Sequence, residues 1–218
     1  MSEEQSRRSG RFAWGVVIAF FLLLAVVNTT LTLSGAVDSW NQATTQQIYQ
    51  LIRPWLNPPM IAITLLGYWE PLLAITLAVA IWAIVRGRKL DAWLLFGVYV
   101  VSLGLQELTK QLVRYPRPHF IVPPSPLMPL ESYAYVSSHA LQAISVLGFA
   151  TVIACGLIGR RWVRVAVVAV SILLIAGIGF SRVYLGLHWV NDVLGGYLYG
   201  VVLLLVASRL HLSERRRS

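Results

Sequence analysis

Apolar residues in this chain come in long runs separated by short polar stretches. The runs cover residues of about 12–34, 59–86, 91–113, 138–159, 163–181 and 190–210. A helix needs roughly 20 apolar residues to cross the hydrocarbon core of a bilayer, so the pattern predicts six spans. Backbone polar groups in lipid have no water to bind, and a helix satisfies them within the segment. The expected fold is therefore all-α, a polytopic bundle of six transmembrane helices over residues 12–211, with tails at 1–11 and 212–218.

Two segments depart from the simple pattern. Gly67-Tyr68-Trp69-Glu70-Pro71 interrupts the second run. Either Pro71 kinks one long helix, or the true span starts near Glu70 and the residues up to Leu66 lie near the outer interface. The second option keeps the Glu70 carboxylate out of lipid and is preferred. Glu70 then has an interfacial or capping role. Upstream, Trp40, Thr44, Ile48, Leu51, Ile52 and Trp55 recur at helical spacing, with Asn41, Gln42, Thr45, Gln46, Gln47 and Gln50 on the remaining surface. This predicts an amphipathic helix, either lying at the outer interface with tryptophan anchors or half-buried against the bundle.

Composition agrees with a membrane protein. Hydrophobic residues make up 57% and charged residues 12%, against roughly 25% charged in an ordinary soluble domain. The formal charge of +9 comes mostly from four patches: Arg7, Arg8, Arg11; Arg86, Arg88, Lys89; Arg160, Arg161, Arg164; and Arg209, Arg215, Arg216, Arg217. Alternating the six spans puts all four on one side, the cytoplasmic side by the positive-inside rule. No nucleic-acid partner is needed to explain the charge. Both tails then lie in the cytoplasm, and residues 36–58, 114–137 and 182–189 face the other side, periplasmic or extracellular for a plasma membrane. The first run is too long for the ~7–15-residue core of a signal peptide and reads as a retained span despite the cleavage-like Ser34-Gly35-Ala36. The single Cys155 forms no intrachain disulfide.

Three polar clusters fall at the outer boundary. They are Lys110 with Arg117-Pro118, Ser137-Ser138-His139, and Ser181-Arg182 followed by His188 and Asp192. Ionisable groups at membrane depth are costly unless paired or wetted, so each marks a functional site. The 41 residues 140–180 allow two crossings, which returns Ser181 to the face that carries His139. Four prolines between Pro118 and Ser137 (Pro123, Pro124, Pro126, Pro129) disfavour a helix and predict an outer loop. On a helix, His188 and Asp192 would share a face, where the carboxylate fixes the imidazole tautomer. His188 is then the candidate nucleophile, Asp192 its orienter and His139 the general acid. Lys110, Arg117 and Arg182 suit a phosphate, and Ser137 and Ser138 add donors. His119 and His211 read as interfacial, and Arg114 as an interfacial or nearby cation.

The series Lys110-x6-Arg117-Pro118, Ser137-Ser138-His139 and Ser181-Arg182-x5-His188-x3-Asp192 resembles the three-part signature of the type 2 phosphatidic acid phosphatase family. The second part of that signature normally reads Pro-Ser-Gly-His, where this chain has Val136 and Ser138 in place of the proline and glycine. The resemblance implies an integral membrane lipid phosphatase with a phosphohistidine on His188, His139 as acid, and phosphate held by Lys110, Arg117, Ser137, Ser138 and Arg182. It also implies that no metal or other cofactor takes part. Expected substrates are phosphatidic acid, phosphatidylglycerol phosphate, diacylglycerol pyrophosphate or a polyprenyl diphosphate presented by the bilayer. A phosphotransferase using the same site is the nearest alternative, and a transporter a more distant one.

Overall fold

A computed structural model describes the chain over residues 3–118 and 133–215, with side chains described for 12–118 and 133–213. His119 and the proline-rich stretch therefore lie outside the described residues, as do the side chains of both tails. The helices are α1 (Glu3–Leu33), α2 (Asp38–Tyr49), α3 (Asn57–Leu65), α4 (Trp69–Val85), α5 (Lys89–Val113), α6 (Ser138–Gln142), α7 (Gly148–Leu157), α8 (Arg161–Tyr184) and α9 (Val190–Arg215). A π-helical turn, Ala143–Leu147, joins α6 to α7. No strand occurs among the described residues.

Among the described residues, five segments are long and apolar enough to cross a membrane alone: Phe12–Leu33, Lys89–Val113, Ser138–Leu157, Arg161–Tyr184 and Val190–Ser213. The sixth candidate is a bent pair, Pro54–Leu65 with Trp69–Val85, whose halves meet at 50°. The break falls before Pro71, at Leu66–Tyr68. Pro71 sits in the first turn of α4, where its missing N–H removes no helical bond. Glu70 is exposed in the same turn, where the helix dipole favours a carboxylate. The helical ends run past the expected tails: α1 begins at Glu3 and α9 continues to Arg215.

The core lies where α4, α5, α7 and α8 meet, with Leu72, Leu95, Phe149, Ile153 and Ile178 fully buried. Large apolar side chains such as Phe12, Trp93, Leu112 and Leu173 point outward, an arrangement suited to lipid, which is as apolar as they are. Helix α9 runs through the middle of the bundle, against α1, α5 and α6. Its approach to α6 is close: a Cβ on Gly196 would lie 2.6 Å from the Ser137 carbonyl oxygen.

Two expectations need correction. Helix α2 ends at Tyr49, short of Trp55, and its fully buried residues are polar, Asn41 and Thr45, with Ile48 half-buried beside them and Trp40 and Trp55 exposed as interfacial anchors would be. Asn41 is drawn inward because it accepts from the Asn191 backbone N–H (3.1 Å) and donates to the Tyr115 hydroxyl (3.3 Å). His211 is not interfacial. It is buried and its Nδ1 meets Asp91 Oδ1 at 2.5 Å, with Arg88 on the other carboxylate oxygen. Antiparallel packing brings the end of α9 over the start of α5, which a scan along the chain does not show.

Candidate active site

The three clusters converge at one end of the bundle. Lys110 lies in the last turn of α5. The chain leaves that helix through exposed Arg114 in a left-handed conformation (φ 50°), its Nε donating to the Gln111 carbonyl at 3.0 Å, and reaches Arg117, whose Nη1 donates to the Leu187 carbonyl at 2.6 Å. Arg182 closes α8 and is buried; its Nη1 donates to Thr64 Oγ1 at 3.0 Å. Its backbone carbonyl accepts the N–H groups of Leu187 (2.9 Å) and His188 (3.2 Å), and Gly186 (φ +71°) makes the reversal between them possible.

His188 therefore precedes α9 and is not on a helix with Asp192. The pair still forms, because the first turn of α9 folds the carboxylate back. Asp192 Oδ2 accepts the Trp189 N–H at 2.8 Å and faces His188 Nδ1 at 3.4 Å. Trp189 is itself tied to the first cluster, its indole N–H donating to the Pro116 carbonyl at 2.9 Å.

The second cluster is anchored to the third, since the Ser137 N–H donates to the Asp192 carbonyl at 3.0 Å. The Ser137 hydroxyl caps α6 by accepting from the Ala140 N–H at 3.5 Å, which fits the usual preference for serine at this position. Val136 is fully buried beside Tyr135 and Leu141. Ser138 and His139 face a cavity of about 180 Å³, together with Gly67, Tyr68, Trp69, Gln106, Lys110, Arg117, Gln142 and Arg182. The cavity thus gathers five of the eight expected residues. His188 and Asp192 are buried, and Ser137 serves the helix end.

Three cations, Lys110, Arg117 and Arg182, line the cavity, and the Asp192 carboxylate is buried behind it. His139 Nε2 and Arg182 Nε are buried and have no hydrogen-bond partner among the described residues. Unpaired buried donors cost free energy, and an anion in the cavity would relieve it. Burial pushes the His188 imidazole well below its ordinary value; Arg117, Arg182, Lys110 and His139 push it further in the same direction. His188 is thereby held neutral, the form with a lone pair available for attack.

Several site residues escaped the sequence reading. Gln106 and Gln142 bond to each other at 2.9 Å in the cavity wall, and their position inside apolar runs was an available signal. Tyr68 and Thr64 come from the break in the second span, where nothing in the local pattern marks them. A second cavity, about 720 Å³, meets the first at Arg117 and is lined by Gln42, Thr45, Gln46 and Gln50 of α2 with Tyr115 and Trp189. The polar stripe of α2 faces this space.

Residues 91–216 match the PAP2 superfamily. The chain is 30% identical over 187 residues to phosphatidylglycerophosphatase B of Bacillus subtilis, covering 84% of this chain and 87% of that protein. It is 27% identical over 199 residues to an undecaprenyl-diphosphatase of Sulfolobus acidocaldarius, covering 87% of each. Its fold is similar to the crystal structure of a transmembrane PAP2-type phosphatidylglycerolphosphate phosphatase from Bacillus subtilis, with a TM-score of 0.78, 26% identity, and coverage of 90% of this chain and 96% of that one. Aquifex aeolicus LpxE shares the fold, with a TM-score of 0.62 at 20% identity over 78% of this chain and 95% of that one.

Proposed function

The chain belongs to the PAP2 superfamily and is a membrane lipid phosphatase, and we propose that it cleaves a lipid phosphomonoester or pyrophosphate through a phosphohistidine on His188, without a metal ion. The observation that carries this reading is the cavity itself. Lys110, Arg117 and Arg182 surround it, His139 Nε2 and Arg182 Nε have no hydrogen-bond partner among the described residues, and neutral His188 stands beside Asp192.

The chemistry follows from which atoms are committed. His188 Nδ1 faces Asp192, so Nε2 attacks phosphorus. As the N–P bond forms, the P–O bond to the lipid breaks, and the leaving oxygen takes the electron pair and a proton from His139. Asp192 stabilises the charge that develops on His188. The three cations and Ser138 hold the equatorial oxygens, where phosphoryl transfer depends on positioning and electrostatics. Ser137 acts by fixing the start of α6. In the second step His139 takes a proton from water, whose oxygen attacks phosphorus, and the N–P bond breaks to release phosphate and His188.

The substrates named for the relatives, a phosphatidylglycerophosphate and an undecaprenyl diphosphate, define the lipids to test, with phosphatidic acid and diacylglycerol pyrophosphate beside them. Purified protein is expected to release phosphate from at least one of them in the presence of a chelator. Labelled substrate should leave acid-labile, base-stable phosphate on the protein, and none on His188→Ala, which should have no turnover. Retained turnover in His188→Ala would overturn the mechanism. Label passing to an acceptor lipid instead of water would identify a transferase.

A further inference from the structure

We propose that Tyr68 is a positioning residue for the general acid, presented to it by the break in the second span. The proposal rests on the reading of His139 as that acid. Tyr68 meets His139 edge to face, with ring centroids 4.6 Å apart and planes at 85°. It also bonds to the side chain of Arg182 and lines the phosphate cavity. His139 Nε2 has no hydrogen-bond partner among the described residues, so no hydrogen bond at that nitrogen sets the ring's direction. The Tyr68 edge contact constrains the ring without occupying the nitrogen.

The segment that carries Tyr68 is held on both sides. Thr64, at the end of α3, is fully buried and accepts from Arg182. Leu66, Gly67 and Tyr68 then turn through successive backbone bonds to Ile63, Thr64 and Leu65. Tyr68 itself is extended (φ −73°, ψ 160°) just before α4. The Tyr99 hydroxyl of α5 donates to the Trp69 carbonyl at 3.1 Å and fixes the far side. A straight helix through 57–85 would not hold residue 68 in this extended conformation. The bend thus couples one aromatic side chain to both the acid and a phosphate-binding arginine.

A misdirected acid harms one class of substrate selectively. An alkoxide leaving group needs the proton from His139, whereas a nitrophenolate leaves without it. Tyr68→Leu removes ring and hydroxyl; Tyr68→Phe removes the hydroxyl alone. Turnover of phosphatidic acid and of 4-nitrophenyl phosphate separates the two contributions. Relative to Tyr68→Phe, Tyr68→Leu is expected to lower kcat/KM on phosphatidic acid by about a further three- to tenfold, the scale of one aromatic edge contact, with a much smaller change on the aryl ester. The ratio kcat/KM is the one to compare, because it excludes the dephosphorylation step in which His139 serves both substrates as base. Tyr68→Phe should keep kcat on both substrates and raise KM on both several-fold, through the lost bond to Arg182. His139→Ala should show the same leaving-group selectivity as Tyr68→Leu, more strongly. If His139→Ala is selective while Tyr68→Leu slows both substrates alike, Tyr68 is only structural and the proposal is overturned. If His139→Ala shows no selectivity, the acid assignment fails and the proposal with it. Should Tyr68→Leu not accumulate, Tyr68→Met carries the same comparison.

Discussion

The proposed attack on phosphorus needs an uncharged His188, and its surroundings favour that form. It is buried, and Arg117, Arg182, Lys110 and His139 all disfavour a second proton. The sign is definite: a depressed imidazole stays neutral as pH falls past its ordinary value of about 6.5. Ring-nitrogen NMR of labelled protein in micelles can follow it, because the chain has only four histidines and His188→Ala identifies the resonance. The expected result is a neutral His188 down to below pH 6.5; protonation above that value would contradict the geometry. Because the unfolded chain takes up this proton first, the same shift should cost stability as pH falls below about 6.5. Asp192→Asn tests the partner. The amide can still accept from Trp189 but loses the charge, and kcat should fall by about 10²–10⁴-fold. At this scale the sequence is most informative, since residue type and spacing select Lys110, Arg117, Ser138, His139 and Arg182, and all five line one cavity. Roles shared with the backbone were not legible. The capping bond of Ser137 and the carbonyl of Leu187 that holds Arg117 follow from the fold and leave no mark on side-chain chemistry.

Elements were legible where a single physical pattern governs them. Long apolar runs gave α1, α5, α8 and α9 close to their observed positions, and the interruption at 67–71 correctly signalled a new helix start near Glu70. Helix α2 was harder, because an amphipathic repeat does not say which face meets protein. In a membrane protein the polar side can face a cavity, as α2 does with Thr45 and Gln46, while apolar Ile48 of the same helix packs half-buried against Val183 and Tyr184. The tight pairing of α6 with α9 is the element contact that most directly places His139. Gly196→Ala would press a methyl group onto the Ser137 carbonyl, which also belongs to the segment that starts the second cluster. Overpacking of this kind costs about 1–3 kcal/mol. Gly159→Ala is the matched control, since a Cβ there meets nothing within 4 Å. Thermal unfolding in micelles should show Gly196→Ala clearly destabilised, with lower turnover, and Gly159→Ala unchanged. Equal stability of the two would mean that the close approach places no constraint on the site.

The whole molecule divides its charge by end. Basic residues cluster around 86–89 and 160–164 and toward the end of α9, while the candidate catalytic groups occupy the opposite end. From the positive-inside rule we propose that the basic end lies in the cytoplasm and the cavity at the outer face of a plasma membrane, where lipid headgroups meet water. The basic end has its own lock: buried Asp91 joins α5 to α9 through His211 and takes Arg88 from the preceding turn. The orientation can be tested with one cysteine at a time in a Cys155→Ser background. Gln47→Cys, exposed on α2, and Arg161→Cys, exposed at the start of α8, mark the two ends. A membrane-impermeant maleimide added to intact cells should label Gln47→Cys and leave Arg161→Cys untouched until the cells are permeabilised. The reverse pattern would place the cavity in the cytoplasm and invert the assignment. Labelling of both positions in intact cells would mean that the two ends do not lie on opposite sides of the membrane, and the six-span arrangement would then fall with the orientation.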